Sequence, residues 1–375
     1  MTQPNEHTPA SNPRRKRSKK RIAFLIGLQL LLLVLGLEGA LRVRAWKRFG
    51  TPKARIADAY LSKTDDFPYL VPIPGAALEG DFVSLHINSL GFRGEEFPLE
   101  KQPGELRIAC LGASTTFCAE ASSDEQTWPA KLQADLSARY PDRLIRVINA
   151  GIPGYCIEHS AENLRRRVLP LQPDLVILYH AYNDIIDDSR AIAAAAGLVD
   201  EAEPAVTLGD RLSDISVLYT VASKNLAIRS GGKQPSASTQ QLNALPDEMP
   251  DHFISELAAI HAELKARDIQ LVLSTFITKF RPSQPPEVQR ANADITAIYM
   301  PWMSMEMLNE SFADYNAAIR AFAKTHQLPI VLDTDSIPAD GEHFADCIHF
   351  TDAGSALMAQ RFANFLVERE LVTVR

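Results

Sequence analysis

The chain has 375 residues, 46% of them hydrophobic, and a formal net charge of −7 at pH 7. That length leaves room for one large domain with appendages. The small acidic excess suits ordinary solubility and gives no sign of a nucleic-acid partner.

Lysine and arginine are unevenly spread. Arg14, Arg15, Lys16, Arg17, Lys19, Lys20 and Arg21 stand directly before Ile22 to Leu41, a run that is apolar apart from Gln29 and Glu38. About 20 such residues cross a bilayer as a helix. A cleaved signal peptide has a shorter apolar core followed by a small-x-small site, whereas Arg42 and Arg44 follow here. Residues 22–41 are therefore expected to be an uncleaved single-pass transmembrane anchor, with residues 1–21 as a basic cytoplasmic tail under the positive-inside rule. Arg42, Arg44, Lys47 and Arg48 on the far flank weigh against that orientation. Glu38 lies near the end of the run, where its carboxylate can reach the interface.

With that topology the rest of the chain lies outside the cytoplasm, which is the periplasm if the cell is Gram-negative. Its four cysteines, Cys110, Cys118, Cys156 and Cys347, are then free to pair. Cys118 with Cys156 is the preferred pair, and four small apolar core residues are the alternative. No C-x-x-C or H-x-x-x-H spacing points to a metal, and no cofactor is expected.

Residues 42–104, rich in proline and charge, read as a juxtamembrane stalk packed on the main domain. From there the pattern alternates. The runs LRIACLGA, LIRVINAG, DLVILYHAY, IQLVLSTFI and LPIVLDTD are near-continuously apolar, as parallel strands covered on both faces are. Between and after them, helical periodicity covers Glu125 to Arg139, His159 to Val168, Asp251 to Arg267, Asp314 to His326 and Asp352 to Glu370. The alternation predicts an α/β fold, a three-layer α/β/α sandwich with a five-stranded parallel sheet, over residues 105–372. Residues 186–250 are too long for a plain crossover and read as an insertion.

Ligands of such sheets bind at the carboxyl ends of the strands. There the sequence places Gly112-Ala113-Ser114-Thr115, then Asn149 to Gly154, then Ala181-Tyr182-Asn183-Asp184. Asp346-Cys347-Ile348-His349 stands just before the last helix. A serine hydroxyl needs a base to become a nucleophile, and a neutral imidazole is one. An aspartate three residues before that histidine can hold its tautomer. Taken singly, Ser114 reads as a helix cap, Gly154 as a turn residue and Asn183 as a loop brace. Their joint placement at strand ends favours a catalytic reading. His180, Asp184 and His343 read as supporting or surface residues, and Trp302 with Met300, Met303, Met305 and Met307 as core or pocket wall, with an acyl-binding surface as the lesser alternative.

The four blocks resemble the SGNH branch of the GDSL hydrolases, whose fold is flavodoxin-like. The resemblance implies Ser114 as nucleophile, Asp346 and His349 as acid and base, and an oxyanion hole from the Ser114 amide, Gly154 and Asn183. Ala113 replaces the aspartate of G-D-S, and Ala181 the glycine of G-x-N-D. The expected activity is hydrolysis of an ester of a glycan or lipid, or of a thioester, through an acyl-serine intermediate. O-acetyl groups of an envelope polysaccharide fit the expected location. An acyltransferase on the same residues, or a catalytically idle envelope-binding protein, remains open.

Overall fold

The structure is a computed structural model that describes residues 19–200, 208–231, 240–332 and 336–372. Arg14 to Arg17, two parts of the expected insertion (201–207 and 232–239) and Asp333 to Asp335 of the fifth expected strand lie outside the described residues.

Helix α1, Lys19–Phe49, extends the apolar run by more than two turns. At 1.5 Å per residue it is about 46 Å long. By length and composition it can cross a membrane, and Phe24, Leu30 and Leu33 are among its exposed side chains. Glu38 does more than approach an interface. Its Oε1 accepts from Arg42 Nε at 2.7 Å and from the Val217 N–H at 3.0 Å, while its Oε2 accepts from Ser216 Oγ at 2.8 Å and the Leu218 N–H at 2.9 Å. It thus caps a helix of the insertion, because the first N–H groups of a helix have no partner of their own.

Residues 51–104 are folded against the main domain. Two antiparallel hairpins, β1 (Leu61–Thr64) with β2 (Phe67–Pro72) and β3 (Ala77–Gly80) with β4 (Val83–His86), bury Leu61, Phe67, Leu78 and Leu85 against Phe117, Ile152 and Tyr155.

The main sheet holds β5 (Leu106–Gly112), β6 (Ile145–Gly151), β7 (Leu175–Tyr179), β8 (Gln270–Ser274) and β9 (Ile330–Val331). Its strands are parallel, in the order β6-β5-β7-β8-β9. Chain order reverses beside β5, which makes the carboxyl ends of β5 and β7 the switch point of the sheet. Each residue of β5 and β7 is buried, the charged Arg107 of β5 among them, and their otherwise apolar sequence suits strands covered on both faces. Helices cover both faces. The short α2 (Ser114–Phe117) precedes α3 (Trp128–Arg139), which packs on β6 and on the last helix. On the other face α4 (Ile157–Asn163) follows β6, and α5 (Tyr182–Ala195) follows β7. Helices α6 (Leu208–Ile215) and α7 (Val217–Gly231) form the insertion and meet α1. Then come α8 (Asp251–Lys265), packed on α4 and β8, α9 (Pro286–Asn292), α10 (Asp294–Tyr299), α11 (Met305–His326) and α12 (Asp352–Glu368).

Candidate active site

Strand β5 ends on a glycine because the chain folds back there. A Cβ on Gly112 would stand 2.1 Å from Thr116 Oγ1 and 2.7 Å from the Tyr179 carbonyl oxygen. The fold-back puts Ser114 at the first position of α2, which ends four residues later at Cys118 in the left-handed region. A buried arginine from the segment before the sheet braces this turn. Arg93 donates through Nη1 to the carbonyls of Phe117 and Cys118, and its Nε meets Asp124 Oδ1 at 2.8 Å.

His349 arrives from the loop before α12. Its Nε2 lies 2.7 Å from Ser114 Oγ, and its Nδ1 lies 2.7 Å from Asp346 Oδ2. Asp346 is held in turn by its own loop, since Oδ1 accepts from the backbone N–H groups of Ile348 and His349 at 2.9 and 2.8 Å. A carboxylate facing Nδ1 places that proton on Nδ1 and leaves the Nε2 lone pair for the serine. Burial disfavours the charge on Asp346, but its hydrogen bonds and the histidine beside it hold its carboxyl below the usual range. Burial also opposes charge on His349. The Asp346 hydrogen bond and the nearby charges of Glu120 and Asp346 outweigh that and raise the imidazole above its ordinary value.

Asn183 stands in the first turn of α5 and shares a small recess with Ser114, lined also by Ala113, Tyr182, Phe276 and Ile348. Its Nδ2 donates one hydrogen to the Tyr155 carbonyl at 2.8 Å, and an amide nitrogen carries a second. Gly154, at φ 82°, precedes Tyr155 in the turn after β6. Asn183 is thereby tied to the Gly154 turn, although Gly154 itself does not line the recess. The recess has a cavity volume of ≈ 10 Å³. That is about the room one water needs.

A family model described as GDSL-like lipase/acylhydrolase matches residues 110–357. The chain belongs to this family. Among solved structures, an acetyl xylan esterase variant from Geobacillus stearothermophilus is 18% identical with a TM-score of 0.43, over 72% of this chain and 97% of that one. A G-D-S-L family lipolytic protein from Desulfitobacterium hafniense is 14% identical with a TM-score of 0.41, over 69% of this chain and 99% of that one. Comparison with curated proteins returned no match.

As a GDSL/SGNH hydrolase the chain is an enzyme acting on ester bonds. The two departures from the family pattern sit where backbone matters more than side chain. Ala113 precedes α2 and Ala181 precedes α5, both buried, and neither makes a side-chain cap. The cysteine expectation is corrected: all four thiols are free and buried. Cys118 Sγ points at the carbonyls of Thr115 and Thr116, and Cys156 Sγ meets His159 Nδ1 at 3.1 Å, so the preferred pair has its sulfurs committed elsewhere. His180 and Asp184 support the site from within. His180 Nε2 lies 2.7 Å from Ser160 Oγ, its Nδ1 3.5 Å from Asp184 Oδ2, and Asp184 Oδ1 accepts from the Ile157 N–H at 2.7 Å. This ties α4 to the turn carrying Asn183. His343 pairs with the exposed Asp340, away from Ser114. Met300, Trp302, Met303 and Met307 are core, as expected. One neighbour of the histidine, Glu120, was not anticipated; its single acidic residue in a turn carries no spacing signal.

Proposed function

We propose that this hydrolase is a membrane-anchored serine esterase that removes short acyl groups, acetyl foremost, outside the cytoplasm. The observation that carries the reading is the continuous relay Ser114 Oγ, His349 Nε2, His349 Nδ1, Asp346 Oδ2, closed by two contacts of 2.7 Å. Ser114 Oγ attacks the ester carbonyl while its proton passes to His349 Nε2, and Asp346 stabilises the imidazolium. The negative oxygen is met by the Ser114 amide and the free hydrogen of Asn183 Nδ2, and the family resemblance adds the Gly154 amide from the turn that Asn183 holds. Collapse expels the alcohol, which takes the proton from His349. Water then attacks the acyl-serine by the reverse sequence and restores Ser114.

The small recess beside Ser114 supports a short acyl group, because a long chain has no buried space there to occupy. Helix α1, with the basic residues before it, supports the anchor. An O-acetylated envelope glycan combines both features. The test measures kcat/KM for nitrophenyl esters of increasing chain length together with fluorophosphonate labelling of the protein in membranes. A steep fall beyond acetyl, with labelling lost in Ser114→Ala, agrees with the reading; a preference for long chains overturns its acyl part. A reporter active only outside the cytoplasm, fused after Arg375, tests the topology.

A further inference from the structure

His349 faces two carboxylates. Asp346 Oδ2 is in hydrogen-bond contact with Nδ1, and Glu120 Oε1 lies 3.9 Å from the same nitrogen. The donor atoms of all three residues lie within 4.8 Å of one another. Glu120 reaches this position because Cys118, at φ 59°, turns the chain after α2 back towards the loop before α12. Its side chain is 32% exposed. The relay described above leaves this acid without a task.

We propose that Glu120 is a positioning residue of the hydrolase, a second carboxylate that stabilises the His349 imidazolium during acyl transfer and sustains it when Asp346 cannot. The proposal rests on the assignment of Ser114, His349 and Asp346. At 3.9 Å a full charge acts on the ring through space, with solvent reducing the effect at a partly exposed position. The groups facing Glu120 give the sign. Burial and the charge of Asp346 push its carboxyl up, whereas His349 and Arg93 favour its ionised form; Tyr60, across the hairpin segment, stays neutral because burial and Glu120 push its hydroxyl up to about 12. The imidazole therefore faces two carboxylates, Asp346 in hydrogen-bond contact and Glu120 at 3.9 Å. When His349 accepts the serine proton, the ionised Glu120 carboxylate is a second negative neighbour of the imidazolium, and no proton enters or leaves Glu120.

The test compares pH profiles of kcat/KM for the wild type, Glu120→Gln, Glu120→Asp, Glu120→Lys, Asp346→Asn and the Glu120→Gln/Asp346→Asn double variant, all as full chains. Removing a negative charge near His349 lowers its pKa. The acid limb in Glu120→Gln should then move down by about 0.5 to 1 pH unit, with kcat reduced several-fold and KM little changed, and Glu120→Asp should restore most of the shift. Glu120→Lys should move the limb further in the same direction, which keeps the test open should Glu120→Gln fail to fold. The double variant should lose more activity than the product of the two single losses. An unmoved limb in both Glu120→Gln and Glu120→Lys, with additive losses, overturns the proposal. Ser114→Ala separates the two readings: if it stays active, the site assignment fails, whereas an inactive Ser114→Ala with an unmoved limb refutes the role of Glu120 alone.

Discussion

His349 Nε2 stands 2.7 Å from Ser114 Oγ across 235 residues of chain. The serine arrives on the turn after the central strand β5 and the histidine on the loop before α12. Folding therefore makes this contact only when the sheet and its last helix are both in place. Two groups that exchange one proton act as a unit. Ser114→Ala and His349→Ala should each lower kcat by at least about a thousandfold, and the double variant should be scarcely worse. Steady-state assays with thermal unfolding run in parallel check this. Near-additive losses would separate the two residues.

The raised imidazole of His349 sets the direction of the pH response. The base must be neutral to accept the serine proton, so kcat/KM should fall on the acid side with a limb above the ordinary histidine value of about 6.5. Stability runs the other way. A histidine whose folded pKa is raised contributes stability that is fully present below its unfolded value and is lost as pH rises through the folded value. Asp346, with its carboxyl lowered, contributes stability present above the ordinary carboxyl range and lost as pH falls through its folded value. As pH rises from the ordinary histidine value through the raised folded value, activity should rise while the His349 contribution to stability declines. An acid limb below pH 6 would contradict the charge arrangement around the ring.

Asn183 gives one amide hydrogen to the Tyr155 carbonyl and keeps the other for the recess beside Ser114. A donor used chiefly in the transition state affects turnover more than binding. Asn183→Ala should lower kcat by about a hundredfold or more with a smaller change in KM. Asn183→Asp, which has no N–H to offer, should be at least as impaired. A folded Asn183→Ala with wild-type kcat would leave Asn183 as a brace for the Gly154 turn.

What could be read from sequence followed from how locally each feature is encoded. The strands β5 to β8 are legible because strands covered on both faces are mostly apolar, and the site blocks are legible because they sit at the ends of those strands. The hairpins β1 to β4 are short and half exposed, so residues 61–86 lack a sustained period. Glu38 looks like a charge at the end of an apolar helix, and its capping role depends on Ser216 and Leu218, 178 and 180 residues away. Cysteine spacing says nothing of where a thiol points, and Cys118 and Cys156 are committed to local partners. Arg107 was the least legible, since a charge at the second position of an apolar strand suggests a solvent-facing end.

Arg107 is instead 0% exposed, and its five N–H donors are all used. Nε meets Glu105 Oε1 at 2.9 Å, Nη1 donates to the carbonyls of Leu99 and Leu171, and Nη2 to those of Pro98 and Glu100. The side chain thus fastens the segment leading into the sheet, and the end of the α4 region, to the first residues of β5. Burial works against the charge of Glu105, yet the Arg107 hydrogen bond and charge hold its carboxyl below the usual range. Breaking a buried ion pair costs about 3 to 5 kcal/mol, and without Arg107 Glu105 keeps only the Gln102 N–H at 2.8 Å and the Arg146 Nε at 4.0 Å. Arg107→Met should lower the urea midpoint accordingly, with little change in the dependence on denaturant. Glu105→Gln should cost less, because four carbonyls still hold the guanidinium. The double variant Arg107→Met/Glu105→Gln should regain part of the loss, since no buried carboxylate is then left without its closest cation. Equal destabilisation in Arg107→Met and the double variant would mean that the carbonyls, not Glu105, account for the cost. The proposed relay lies at the opposite end of β5, so whatever fraction of Arg107→Met remains folded should keep wild-type KM.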